Sequence, residues 1–342
     1  LSVTTHIARW DLDKTYLRTE FDSLRDLVKT ALERPDQKRT NPGASTLLRE
    51  MVRAHVRVHI LSGSPEQMRR RLEDKLRLDG VRWDTFTLKP NLQNLLRLRF
   101  RAVRDQLGYK LPALLRARAQ LAESGEPPEV FTETLFGDDA EADAYVYSLY
   151  ADFVAGVVGE DVLLHVLERG RVYEDVVAKA METARAVEHA AAVERILIHL
   201  ERQTPPDDFS TYGPRVVPFY NYLQAAFVVH EDGRLGAEGV LRVAVELVTE
   251  HRFDGDALAR SYLDLARRGH LAGTRVDALA AALEAWRSQG PVPAGGELTA
   301  MVARLAPMAD VARAAVQRAA RASRPPPDYV DLVDAHNARR RK

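Results

Sequence analysis

Two aspartates two residues apart, then a threonine, stand at Asp11-Leu12-Asp13-Lys14-Thr15, just behind the short apolar stretch "THIARW". Two carboxylates so close can have split pKa values, one suited to act as base and the other as acid. They can equally be ordinary turn carboxylates, and the stretch alone does not choose. Chemistry needs partners, and three further polar groups are of the right kind. Ser62-Gly63-Ser64 follows "HVRVHIL". Gly137-Asp138-Asp139, with Asp143 beyond, follows "ETLF". Lys110 stands in "GYKLPALLRAR".

Secondary structure must bring these groups together. "THIARW", "HVRVHIL" (55–61) and "ETLF" (133–136) read as strands, each ending at one of the polar groups. Helical spacing recurs over 21–33, 44–53, 65–78, 91–107 and 111–123, with helix starts at Ser64-Pro65 and Lys89-Pro90-Asn91. Strands alternating with helices predict an α/β fold, a doubly wound, Rossmann-like parallel sheet over residues 1–156. In such a sheet ligands sit outside the carboxyl ends of the strands, where the polar groups fall. After residue 157 the β signals fade. Segments such as 174–203, 236–251 and 275–289 are rich in Ala, Leu, Val, Glu and Arg at helical spacing. They predict a second, all-helical C-terminal domain over 157–323, followed by a Pro-rich segment and a mobile basic tail at 324–342.

DxDxT, a strand-end Ser, a Lys and GDxxxxD, in that order, resemble the haloacid dehalogenase superfamily of aspartate-nucleophile phosphohydrolases. "PGASTLLREM" is similar to the Pro-Gly-led helix common there. Within that superfamily, "LSGSPEQM" and "GDDAEADAYVY", with Tyr147, resemble the actin-patch-type phosphatidate phosphatases of bacteria and fungi. The chain departs from that pattern at Lys14, where a second aspartate is usual, so lipid specificity does not carry over.

The chemistry of phosphate esters fits the resemblance. Their negative charge repels a nucleophile, and a carboxylate can attack once a divalent cation offsets that charge. Asp11 is then the expected nucleophile, forming an aspartyl-phosphate. Asp13 would protonate the leaving oxygen and later activate water. The resemblance implies a metal held by the Asp11 carboxylate, the Asp13 main-chain carbonyl and Asp138, with Asp139 and Asp143 completing its shell. Oxygen ligands of this kind suit Mg²⁺. Ser62 would hydrogen-bond the phosphoryl group, with Thr15 and Gly63 beside it, and Lys110 would neutralise both the phosphoryl charge and Asp11. Lys89 is the rival lysine, because "TLKP" also looks like a strand end. The class of phosphorylated substrate stays open. So do two other readings: a silent phosphate-binding or scaffold protein acting through its helical domain, and a phosphotransferase.

Composition narrows the field. Lys+Arg and Asp+Glu are both 49, so no net field favours nucleic acid or an anionic membrane. Only the basic end "ARRRK" argues otherwise. Without cysteine there is no disulfide, thiolate metal site or cysteine nucleophile. No uncharged apolar run of about 18 residues occurs and no signal segment opens the chain, so a soluble cytoplasmic protein without a membrane span is expected. Histidines 165, 189, 199, 230, 251 and 270 lack metal-binding spacing. Residues 17–41 supply one short helix and a polar loop, too little for a large folded cap. Arg97, Arg101 and Arg104 form one helical stripe, a solvated face or a docking site for a polyanion. Five aromatics in 212–227 are expected to pack in a core or between domains.

Overall fold

Six parallel strands form one sheet in the order β3-β2-β1-β4-β5-β6. They are β1 (Thr5–Trp10), β2 (Arg57–Pro65), β3 (Thr85–Lys89), β4 (Phe131–Asp138), β5 (Val193–His199) and β6 (Val216–Phe219). This computed structural model describes residues 4–18, 38–89, 103–321 and 325–339. The chain winds from β1 to one edge, returns to β4 and winds to the other edge. That doubly wound α/β order places a switch point between β1 and β4, whose carboxyl ends carry Asp11 and Asp138.

Helices cover both faces. Against one lie α1 (Ala44–Arg53), α2 (Arg69–Leu78), α7 (Tyr222–Glu231), α8 (Ala237–His251), α9 (Gly255–Arg267), α10 (Val276–Gln289) and α11 (Gly295–Arg321). Against the other lie α3 (Val103–Ala122), α4 (Asp143–Val154), α5 (Glu160–Arg169), α6 (Glu174–Arg185) and α12 (Tyr329–Arg339). Successive strand residues alternate between the two cores: Trp10, Ile60 and Phe136 enter the first, Leu61 and Leu135 the second. A sheet buried on both faces takes apolar side chains at almost every position. Where a charge does enter it, it is paired: Arg9 donates to both carboxylate oxygens of Glu133, at 2.8 and 3.0 Å.

Three expectations are corrected. Residues 157–323 are not all-helical, since β5 and β6 extend the same sheet. The Ala-rich run before "VERILIH" carries helical spacing, but α6 stops at Arg185, and a strand buried on both faces shows no alternation to betray it. The expected basic tail contains α12, held by buried Tyr329 and Val333. The main-chain carbonyl of Tyr329 accepts from Tyr145, and its hydroxyl donates to Asp152 at 2.5 Å. Finally, 103–122 is one helix, so Lys110 lies inside it rather than at a helix start. Pro112 removes a main-chain bond, but burial of Leu107, Leu111, Leu114 and Leu115 carries α3 through.

The helix expected over 21–33 and residues 91–102, with Arg97 and Arg101, lie outside the described residues. Arg104 meets Asp105 at 3.3 Å and lies over the Tyr173 ring. Among the described residues no helix is long and apolar enough to cross a membrane.

Leu241 of α8 and Leu298 of α11 belong to the same core as Ala8 and Trp10 of β1. The C-terminal helices therefore have no separate core on this face. Leu241→Ala should cost about 2–5 kcal/mol, and urea unfolding should be one transition by both far-UV circular dichroism and tryptophan fluorescence. Two separated transitions would establish independent domains instead.

Candidate functional site

The Asp11 main-chain N–H donates to Phe136 at 3.0 Å, so β1 and β4 stay in register up to the site. Beyond Asp11 the chain doubles back: the N–H groups of Tyr16 and Leu17 both donate to the Leu12 carbonyl. Lys14 takes the left-handed conformation, φ 63°, that closes this turn. Its carbonyl accepts from Asn41 and from the His199 ring, each at 3.2 Å. The Thr15 carbonyl accepts from Asn41 at 2.6 Å and from the Tyr222 hydroxyl at 2.5 Å. Residues far along the chain thus fix the turn that presents Asp11 and Asp13.

Asp11, Asp138 and Asp143 are buried, and each offers one oxygen within 4.8 Å of the others. Lys110, fully buried, serves as their counter-ion. Its Nζ lies 2.5 Å from Asp143 Oδ1, 3.0 Å from Glu141 Oε2 and 3.3 Å from Asp11 Oδ1. The Tyr147 ring lies 5.8 Å from the same ammonium. Gly137 makes this packing possible, because a Cβ there would stand 2.4 Å from Asp143 Oδ2. Asp143 Oδ2 also accepts from the Asp138 N–H, and Asp138 Oδ1 from the N–H groups of Ala140 and Glu141. The β4–α4 turn is therefore locked by its own carboxylates.

The electrostatics follow. Burial pushes Asp11 well above the usual carboxylate range; Lys110 pulls it down, while Asp143, Glu141 and Asp138 add repulsion. Asp138 is raised by burial, then by Glu141 and Asp143. Burial pushes Asp143 up to about 6 against the pull of Lys110. Burial would lower Lys110, but Asp11, Asp143 and Glu141 outweigh it and keep the ammonium charged.

Asp13 stands half-buried at the edge of this cluster. Its Oδ2 accepts from Ser62 Oγ at 3.0 Å and Ser64 Oγ at 2.8 Å. Burial raises its carboxyl despite the bonds from Ser64 and Ser62. Asp13, Gly63, Ser64, Lys89, Tyr109 and Glu141 line a small cleft, about 40 Å³, above the carboxylates. A larger cleft of about 880 Å³ lies away from this chemistry, between α1, α8 and α10. Its arginines are engaged: Arg49 with Asp79, Arg53 and Arg242 with Glu50.

The expected residues do not all converge. Asp11, Lys110, Asp138 and Asp143 do. Thr15 joins them, its hydroxyl 3.4 Å from both Asp11 Oδ2 and Asp138 Oδ2. Ser62 sits on Asp13. Asp139 faces elsewhere: its carboxylate accepts from the N–H groups of Arg202 and Thr204 and so ties down the loop after β5. Lys89 is at the cleft mouth, so Lys110 holds the position beside Asp11. Ser64 and Glu141 join the site without having been singled out for it, although both lie inside the quoted motifs. Tyr222 was legible only as one of the five aromatics in 212–227, and nothing local signalled its bond to Thr15.

The donor set fits a hard divalent cation. It is made of carboxylate oxygens, it carries more negative charge than Lys110 offsets, and Asp11 Oδ1 is buried without a hydrogen bond. In comparisons with family models, curated proteins and solved structures, nothing matches this chain.

The cluster makes stability depend on pH and cations. Burial pushes folded Asp143 up to about 6, whereas in the unfolded chain it ionises near the ordinary carboxylate value of 3.8. The folded state then binds the extra proton, so this group's contribution to stability falls as pH rises from about 4 to 6. His6 and His59, lowered to about 4 chiefly by burial, give the opposite slope over that window. A charge-removing variant tests the carboxylate crowding directly. In a chelator above pH 6, Asp138→Asn should melt at least roughly 2 °C above the wild type. Mg²⁺ should raise the melting temperature of the wild type and not of the variant. A cation response surviving in Asp138→Asn would remove Asp138 from the cation site.

Proposed function

We propose that the chain is a divalent-cation-dependent phosphohydrolase of the haloacid dehalogenase type, with Asp11 as nucleophile. One observation carries the reading. At the switch point of the sheet, Asp11 keeps a buried carboxylate oxygen that no hydrogen bond satisfies, 3.3 Å from the Lys110 ammonium and within a carboxylate cluster. The strand order is also that of dinucleotide-binding proteins, but those need glycines after β1 to admit a pyrophosphate. Here "DLDKTYL" supplies carboxylates and no glycine.

The residues divide the work. An Asp11 oxygen attacks phosphorus; the new P–O bond forms as the bond to the leaving oxygen breaks. Asp13, with its raised pKa, carries the proton that the leaving oxygen takes up. Ser62 and Ser64 hold that carboxyl in place from one side. Water then attacks the aspartyl-phosphate, Asp13 takes its proton, and orthophosphate departs with Asp11 restored. Lys110 offsets the charge of Asp11 and of the phosphoryl oxygens. A bound Mg²⁺, held by Asp11, Asp138 and the Asp13 carbonyl, would supply the charge neutralisation that keeps Asp11 ionised and lets it approach a phosphate. Asp143 orients Lys110 and the Asp138 main chain.

Asp11→Asn should lower hydrolysis of p-nitrophenyl phosphate in Mg²⁺ by roughly a thousandfold or more, with an unchanged circular dichroism spectrum. A wild-type protein inactive on a broad phosphoester panel with Mg²⁺ would sink the reading. Release of orthophosphate, rather than phosphate transfer to an added alcohol, separates hydrolysis from phosphotransfer.

A further inference from the structure

Tyr109 and Lys89 wall two cavities. One is the small cleft over Asp13. The other, about 410 Å³, continues past them between β3, α3 and α6. That volume lies within the ordinary range for small-molecule sites. Pro112, Ala113 and Val176 give it an apolar wall, while Lys89, Arg116 and Lys179 stand around it, with Asp175 the one carboxylate in its lining.

Some surface arginines pair with a neighbouring carboxylate, as Arg69 does with Glu66 and Arg77 with Glu73. Among the described residues, the side chains of Lys89, Arg116 and Lys179 make no ion pair or hydrogen bond. Arg116 and Lys179 are exposed, and water satisfies them. Lys89 is different: it is partly buried, and its Nζ lies 5.9 Å from the centre of the Tyr109 ring. A desolvated ammonium without an anion is costly. Burial correspondingly depresses its pKa, with Asp105 and Glu141 only partly opposing. A ligand anion would supply the missing partner. Tyr109 is itself fixed, its hydroxyl donating to the Ser62 carbonyl at 2.7 Å, so the two cavities share a rigid wall.

We infer that this cavity is the leaving-group subsite, and that the substrate is a phosphomonoester whose leaving group has an apolar body and ends in a second anionic group. The inference rests on the phosphohydrolase reading. In it, the reacting phosphoryl group lies at Asp11 and Asp13, the apolar body passes Tyr109 to Pro112 and Val176, and the second anion meets Lys89, Arg116 and Lys179. Lys89 then serves binding of the leaving group, not the chemistry at phosphorus.

Three substrates test it: hexyl phosphate, 6-phosphohexanoate and hexane-1,6-diol bisphosphate. The wild type should prefer the two substrates that end in a second anionic group over hexyl phosphate by at least about tenfold in kcat/KM. That preference should shrink to within about twofold in Arg116→Ala/Lys179→Ala, and Lys89→Met should weaken it too. The carboxylate and bisphosphate arms show which terminal anion is favoured. An equal preference in wild type and variants, or none in the wild type, overturns the subsite. Calorimetric binding of the bisphosphate to Asp11→Asn protein, with and without the double substitution, keeps the two claims separable. Binding lost with the double substitution, alongside a wild type inactive on all three substrates, would leave the subsite standing and fell the hydrolase. Hydrolysis without preference, and binding indifferent to the substitutions, would do the reverse.

Discussion

The structure depends on an unequal division of charge. Asp11, Asp143 and Glu141 share one ammonium, that of Lys110, while Asp138 adds a further buried carboxylate beside them. Elsewhere the sheet balances what it buries, as the Arg9–Glu133 pair shows. A folded protein gains nothing in stability by crowding like charges in a desolvated place. These crowded carboxylates could hold a metal ion, and functional sites are where such strained electrostatic arrangements collect.

Topology concentrates the charge. A parallel sheet brings all its strand ends to one side, and the reversal between β1 and β4 leaves a crevice there. Asp11 enters from β1, Asp138 from β4, Ser62 and Ser64 from β2, and Lys110 from the helix that precedes β4. Each side chain sits on a regular element or the first turn beyond one, where packing limits its movement. The interval between Asp138 and Asp143 spans one tight turn, and Gly137 lets that turn close against the strand.

Much of this was legible in the sequence, for a physical reason. β1 and α1 fall where "THIARW" and "ASTLLREMVR" placed them, because apolar periodicity is a local property. The polar groups at strand ends were local too, so Asp11, Asp13, Asp138 and Asp143 could be picked out before their distances were known, whereas Lys110, inside a helix, was preferred over Lys89 for its place ahead of Asp138. What failed was non-local. β5 is buried on both faces, so its apolar run looked like more of the preceding helix. Asp139 and Ser64 sit one residue apart from Asp138 and Gly63, and the sequence offers no rule for which side chain turns inward. Asp139 is taken by the main chain at 202 and 204; Ser64 is drawn onto Asp13. The Tyr222 contact spans 207 residues and belongs to the tertiary fold alone.

That contact bears on the role of the C-terminal helices. Trp10, the last residue of β1, stacks on Phe136 with ring centroids 3.9 Å apart and on Tyr222 at 5.8 Å. Tyr222 opens α7, and its hydroxyl reaches the carbonyl of Thr15, inside the turn that holds Asp11 and Asp13. The His199 ring, packed against Phe219 and Tyr222, holds the neighbouring carbonyl of Lys14. Lys14 needs that support, because a non-glycine residue at positive φ is held only where its surroundings fix it. The turn is therefore an assembly of β1 with β5, β6 and α7. The region after residue 157, expected as a separate domain, supplies the clamp that sets the direction of the two aspartates.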